Sequence, residues 1–205
     1  MINKILTKNF DIPQNYEDFN IIQNLVHLDV LTKDSPGCLL FLEYKDVYTV
    51  GRFTKNKEYE NIPFIRSSRG GDITFHGPGQ QVFYPVLNIK KLGVSLHDFV
   101  DLMHSFLIKF LQSKDISACR SKKGPGLWVD GNKISFFGVA VKKGVTLHGI
   151  SLNIKCDLNK FELINPCGDA SIKVGNLKIL DKIERNSLTN ELGRFFLDEL
   201  KLFLS

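Results

Sequence analysis

Residues 127 to 154, LWVDGNKISFFGVAVKKGVTLHGISLNI, constrain the fold more than any other stretch. Apolar and polar residues alternate in several places, and two dipeptides, Asp130-Gly131 and Lys143-Gly144, interrupt the alternation. Such dipeptides between alternating runs are the sequence signature of tight hairpin turns. The stretch therefore predicts three consecutive antiparallel strands. Residues 38 to 50, CLLFLEYKDVYTV, predict a further strand or a hairpin, and residues 81 to 89, QVFYPVLNI, another strand. Pro85 within that run suggests a sheet edge or a strand end, because proline cannot donate to a ladder.

Two helices are predicted. From Ser95 the chain places Leu96, Phe99, Val100, Met103, Phe106, Leu107, Phe110 and Leu111 at helical spacing, and Ser95 with Asp98 approximates a capping box. His97, Asp101, His104 and Lys109 fall off that stripe and are expected at the surface. The second helix runs from about Ser187 to Leu204, with Leu188, Leu192, Phe195, Phe196 and Phe203 expected to face inward. Strands separated by helices, with a meander in the second half, imply one mixed α/β domain over residues 1–205: a mixed sheet flanked by helices.

With 205 residues, 43% apolar and 24% charged, the chain can bury a substantial core. The net charge of +5 is scattered in short pairs such as Lys90-Lys91, Lys122-Lys123 and Lys142-Lys143. These read as solvated surface, or as docking points for an acidic partner. No RNA-binding or zinc-finger signature is present, so no nucleic-acid partner is expected. No apolar run reaches the roughly 20 residues that span a bilayer, so no membrane partner is expected. The first twenty residues lack an apolar core and arginine and carry Asp11, Glu17 and Asp18, unlike a secretory signal or transit peptide. A cytoplasmic location is expected.

Chemistry is concentrated in four places. RGGDITFHGPG, residues 69 to 79, packs four glycines and a proline behind an arginine and around a histidine. Glycines let a ligand approach the main chain. Backbone N–H groups of the Gly70-Gly71 turn are candidates to hold an oxyanion. The run matches neither G-x-x-x-x-G-K-[ST] nor G-x-G-x-x-G, the phosphate-binding loops. In INPCGDA, residues 164 to 170, Cys167 lies in a turn, where a thiol is reachable. Such a nucleophile needs a nearby cation to lower its pKa. Cys156 is the rival nucleophile, and Cys38 and Cys119 read as structural, inert thiols. Without a C-x-x-C pair, a zinc site is not expected. Lys133 begins a strand after a turn glycine, where a lysine is usually solvated, and His148-Gly149 interrupts a strand-like run.

Taken in order, these segments resemble the lipoyl(octanoyl) transferases within the biotin/lipoate protein ligase fold. RGGDITFHGPGQ is similar to that family's R-G-G-x-x-[TS]-[FY]-H-G-P-G-Q signature, and VYTVGR to its VYT-x-GR strand. GLWVDGNKISFFGV and TLHGISLNIKCDLNKFELINPCG are similar to its G-[VL]-W-V…K-I-x-x-x-G and T-x-H-G-[LI]-[AS]-L-N…I-x-P-C-G segments. The resemblance covers roughly residues 36 to 170. It implies that Cys167 is the acyl-thioester nucleophile and Lys133 its acid/base partner. It implies acyl binding by Arg69, Gly70, Gly71, Asp72, Ile73, Thr74, Phe75 and His76, by Phe136, Phe137 and Gly138, and by Gly149, Ile150 and Ser151. Phe136 and Phe137 stand where small or aliphatic residues are common, and Cys156 where threonine is common. The implied reaction moves an octanoyl or lipoyl group from acyl carrier protein to a lysine of a lipoyl domain. The acceptors would be the lipoyl domains of 2-oxoacid dehydrogenase complexes and the glycine cleavage H protein. It implies no cofactor, neither ATP nor metal; the substrate itself carries phosphopantetheine. The alternatives are an ATP-dependent lipoate ligase and a non-catalytic module that binds carrier domains.

Overall fold

The computed structural model describes the chain apart from residues 1–3, 34, 53, 55–58, 60, 123 and 165–170. The predicted meander forms as β8 (Gly124–Val129), β9 (Asn132–Lys142) and β10 (Val145–Asn153). Both turns have positive φ at both central residues: 49° and 76° at Asp130-Gly131, 53° and 82° at Lys143-Gly144. That is the conformation whose twist matches antiparallel strands.

The meander supplies three strands of a seven-stranded mixed sheet. It is completed by β1 (Leu6–Asn9), β2 (Gly37–Leu42), β6 (Gln80–Leu87) and β7 (Cys119–Ser121), in the order β1-β2-β6-β10-β9-β8-β7. Only β1 and β2 run parallel. A smaller sheet, β4-β3-β5, comprises β3 (Val47–Val50), β4 (Phe64–Arg66) and β5 (Thr74–His76). Residues 38 to 50 thus supply two strands to two different sheets, not a hairpin.

Helices α2 (Leu96–Gln112) and α4 (Arg185–Leu204) cover one face of the large sheet. Phe83 of β6 meets Phe106 of α2 and Phe196 of α4 edge-on, with ring centroids 5.6 and 5.2 Å away. Ser95 caps α2 as predicted, its hydroxyl accepting from Asp98 N at 3.1 Å. Helix α1 (Tyr16–Thr32) covers the other face, where Phe19 packs on Tyr44 and Tyr84. Its pattern is poorly legible because the buried positions Tyr16, Phe19, Gln23, His27 and Val30 include two polar residues, while Ile21, Leu25 and Leu28 are exposed. A short helix, α3 (Asn159–Glu162), packs Phe161 under the small sheet. Among the described residues no helix is long and apolar enough to cross a membrane.

Four expectations are corrected. Pro85 lies inside β6, a central strand, paired with Leu39 of β2. On the other side the register with β10 stops at Phe83 and the next contact is the bridge Asn88–Val145. The hydroxyl of Thr146 spans that gap, accepting from Leu87 N at 2.8 Å and donating to the Pro85 carbonyl. His104 is buried, not exposed: its Nδ1–H donates to the Val100 carbonyl at 2.8 Å and its ring stacks on Phe137 at 4.1 Å. Burial holds its pKa below the usual histidine value. Phe203 is exposed with the rest of the last turn of α4, and Leu200 takes the inward position after Leu188, Leu192 and Phe196. Cys119 lies exposed on the edge strand β7.

Thr146→Val preserves shape but leaves the Leu87 N–H and Pro85 carbonyl without that partner in a buried site. Chemical denaturation is expected to report a loss of about 1–3 kcal/mol, the cost of an unsatisfied buried polar group.

Candidate active site

The two sheets are joined through Arg69. Its guanidinium turns away from the large sheet, donating from Nη2 to the Thr49 carbonyl at 2.6 Å and from Nε and Nη2 to Thr49 Oγ1 at 3.2 and 3.0 Å. Nη1 donates to the carbonyl of Gly70 at 3.1 Å. The stem of Arg69 lies over Gly138, so closely that a Cβ there would sit 3.0 Å from Arg69 Cδ. The Gly70 N–H donates to the Val139 carbonyl at 3.0 Å, tying the glycine-rich loop to β9. That N–H is therefore engaged and is not an oxyanion donor.

Between the small sheet and β9–β10 lies a cavity of about 150 Å³. Of the residues expected to bind the acyl group, all but Gly70 and Phe75 line it, joined by Tyr84, Gly124 and Pro125. Strand β5 explains the exception: Thr74 and His76 face the cavity, while Phe75, between them, turns to Tyr48 and Phe161. Gly71 has φ 83°, and a Cβ there would meet only Arg69 Nη1, at 3.5 Å. Its backbone conformation, not crowding, is what calls for glycine. At Gly149 the reason is space: a Cβ would sit 2.2 Å from the Phe83 carbonyl oxygen. Its neighbour His148 has φ 60°, which breaks the alternation of β10 at this point.

The wall is mostly apolar, with Phe136, Phe137, Ile73 and Ile150. Phe136 is clamped flat against Phe161, ring centroids 5.2 Å apart and planes within 7°. Two buried hydroxyls on the wall, Thr74 Oγ1 and Ser151 Oγ, have no hydrogen-bond partner among the described residues. Buried hydroxyls are ordinarily paired, so these two are poised for a polar group of a ligand.

His76 and His148 flank this site. The Gln80 amide nitrogen donates to the Phe75 carbonyl at 3.3 Å and to Asn153 Oδ1 at 2.8 Å, so its oxygen faces His76 Nδ1 at 2.6 Å. Nδ1 therefore carries the proton and Nε2 the lone pair. Burial, reinforced by the Arg69 charge, lowers the His76 pKa from 6.5 to about 4. His148 lies 2.8 Å from the Ser68 hydroxyl through Nε2, and its backbone N–H donates to Gln23 of α1 at 2.6 Å. Burial first, then Arg69, His76 and Arg52, lower its pKa to about 3.

Lys133, expected to be solvated, is fully buried. Its Nζ lies 4.7 Å from the Trp128 ring centroid and 4.8 Å from that of Phe136, favourable positions for a cation. Its backbone is held by the segment just after residues 165–170: Lys133 N donates to Lys173 O at 2.7 Å, and Gly175 N donates to Lys133 O at 3.0 Å. The proposed nucleophile, Cys167, lies outside the described residues. Its rival Cys156 is buried, donates to Asn176 Oδ1 at 3.3 Å, and has its pKa pushed up to about 12 by burial. A thiol so held is a poor nucleophile at neutral pH. Among the described residues no group of three histidine, cysteine or carboxylate side chains is arranged to hold a metal ion. Sequence reading assigned no role to Tyr84, Gly124, Pro125, Gln80 or Asn153. Of these Gln80 carried a signal as the last residue of HGPGQ, and Asn153 as the last residue of TLHGISLN.

Residues 16–200 match the lipoyl protein ligase A/B catalytic domain family. The octanoyltransferase of Buchnera aphidicola subsp. Acyrthosiphon pisum is 32% identical over 200 residues, 93% of each chain. That of Pelobacter propionicus is 39% identical over 161 residues, 78% of this chain and 77% of the relative. Among solved structures, lipoate-protein ligase A bound with ATP superimposes with a TM-score of 0.66 at 16% identity, covering 96% of this chain and 84% of that one. A bi-partite lipoate protein ligase of Thermoplasma acidophilum, described with its E2 lipoyl domain, gives 0.67 at 16%, covering 96% and 84%. These structural likenesses establish the shared fold.

The two histidines set an acid limit. Both have folded pKa values below the ordinary 6.5, so the unfolded chain binds more protons between those values. Stability is expected to be full above about pH 6.5 and to fall as pH drops toward 4, by an amount on the order of 3 kcal/mol per histidine. Urea midpoints across pH 4 to 8 measure this, and His76→Gln should flatten the slope.

Proposed function

The chain belongs to the octanoyltransferases, acyltransferases of lipoate biosynthesis, and on that premise we propose that it works through a covalent thioester on Cys167 with Lys133 as its proton-transfer partner. What supports this reading most is Lys133: an ammonium buried between two rings and bonded through its backbone to the segment that follows residues 165–170. A thiol nucleophile needs a cation nearby, and a lysine side chain buried on the strand that pairs with residues 173–175 is suited to supply it.

The donor is an octanoyl thioester on the phosphopantetheine arm of acyl carrier protein. The Cys167 thiolate attacks its carbonyl carbon, and the carbon–sulfur bond to the carrier breaks. The carrier leaves as a thiol, taking a proton from Lys133, and octanoyl-Cys167 remains. A lysine amine of a lipoyl domain then attacks that carbonyl. The bond to Cys167 breaks, an amide forms, and the amine's surplus proton returns to Lys133. Thr74 and Ser151 hydroxyls are placed on the wall to donate to the acyl carbonyl, while Phe136, Phe137 and Ile150 take the alkyl chain. The thioester already carries the free energy that amide formation needs, so neither ATP nor a metal enters this scheme. The acceptors in this reading are the lipoyl domains of 2-oxoacid dehydrogenase complexes and the glycine cleavage H protein. The whole chain, residues 1–205, acts as one catalytic domain, and its place of action is the cytoplasm.

Intact-protein mass spectrometry after incubation with octanoyl-carrier protein is expected to show one added octanoyl group, removable by hydroxylamine. Cys167→Ser should abolish the thioester; a hydroxylamine-labile adduct on that variant would transfer the role to another cysteine. Lys133→Ala should slow acylation by at least tenfold and move the pH dependence of Cys167 alkylation upward. An unchanged alkylation profile would remove Lys133 from the mechanism. Pyrophosphate release dependent on ATP and octanoate would instead mark a ligase.

A further inference from the structure

The register between β9 and β10 ends at Leu152–Ser135, two residues short of Lys133. From there the edge of β9 is taken over by another part of the chain, through the parallel bridge Lys133–Val174. Asn153 stands at this fork. Its backbone carbonyl accepts from Leu177 N at 2.9 Å, and its Nδ2 donates to the Gly175 carbonyl at 3.2 Å. Gly175 N in turn donates to the Lys133 carbonyl. On the opposite side Asn153 Oδ1 accepts from Gln80, whose oxygen receives the His76 proton. A series of hydrogen bonds, continued through the main chain of Gly175, thus runs from the cavity to the backbone of Lys133. Gln80, Asn153 and Lys133 are fully buried and His76 is nearly so.

From this we infer that Asn153 and Gln80 are positioning residues, which lock the cavity histidine, Lys133 and the return of the chain after residues 165–170 into one rigid unit. The inference rests on the Cys167–Lys133 reading for its catalytic consequence, but not for its geometry. Neither residue is needed to close a hydrophobic core. A side-chain amide at position 153 donates to the chain segment at Gly175 and accepts from Gln80 of β6, across the point where β10 parts from β9. A network satisfied at every member is stiff, and loss of one member loosens its neighbours. The series also fixes the tautomer of His76: Nδ1 carries the proton and Nε2 the lone pair.

Trp128 is the chain's single tryptophan, and its ring carries the Lys133 ammonium. Its emission therefore reports where Lys133 sits, independently of turnover. Asn153→Asp removes the donor to Gly175 while keeping shape and the acceptor for Gln80; Gln80→Met is the second variant, should the first fail to fold. Either folded variant is expected to shift Trp128 emission in the same direction as Lys133→Ala. It should also slow Cys167 acylation by an octanoyl thioester of a small thiol at least tenfold in kcat, with KM within about threefold. Wild-type emission in a folded variant would overturn the inference, as would shifted emission with a wild-type acylation rate while Lys133→Ala is slow. If Lys133→Ala itself acylates at the wild-type rate, the Cys167–Lys133 reading fails, and the emission measurement still decides whether the network places Lys133.

Discussion

Everything in the site hangs on the burial of one charge, the guanidinium of Arg69. A buried cation is tolerable only when its donors are matched, and here they are turned onto the backbone and hydroxyl of Thr49 and onto the carbonyl of Gly70. Those bonds fix the small sheet against its own connecting loop, and the arginine stem then lies along Gly138 of the large sheet. The cavity is the space left between sheets held at that spacing. Its apolar wall suits an alkyl chain, and the same positive charge contributes to keeping His76 and His148 neutral. A neutral histidine with one fixed proton is an acceptor of defined direction, which a protonated one would not be.

The two ends of the cavity are built differently. Toward Gly138 and Gly149 the main chain itself forms the wall, because the β10 kink at His148 brings Gly149 against the Phe83 carbonyl. Toward Lys133 the wall is aromatic: Phe136 stacks on Phe161 and, with Trp128, carries the ammonium. Phe137, which also lines the cavity, is backed by His104 of α2. Both phenylalanines are thus held by neighbours.

The meander and its two turns were legible because hairpin chemistry is local: two residues with positive φ suffice to announce it. Helix α2 was legible because its buried stripe is apolar apart from His104 and its cap is a serine. Helix α1 was not, since Gln23 and His27 hold inward positions in order to bond His148 N and the Lys142 carbonyl. Pro85 misled for a similar reason: the hydroxyl that bridges the ladder gap beside it belongs to Thr146, 61 residues away. Lys133 reads as surface until its neighbours in space are known, because its partners Trp128, Phe136 and residues 173–175 come together only in the folded chain. The glycine-rich loop, read as a backbone that a ligand approaches, does line the cavity. Its first duty, however, is to seat Arg69.

The octanoyl chain is proposed to lie between the two sheets, with its carbonyl at the Lys133 end. A crystal structure of the acyl-enzyme, trapped from octanoyl-carrier protein without acceptor, tests this most directly. Continuous density is expected from Cys167 Sγ past Phe136 and Ile150 toward Gly138 and Gly149, with the carbonyl oxygen within hydrogen-bond distance of Thr74 or Ser151. An octanoyl group bound through Cys119 or Cys156, or a chain lying outside the space between the sheets, would contradict it.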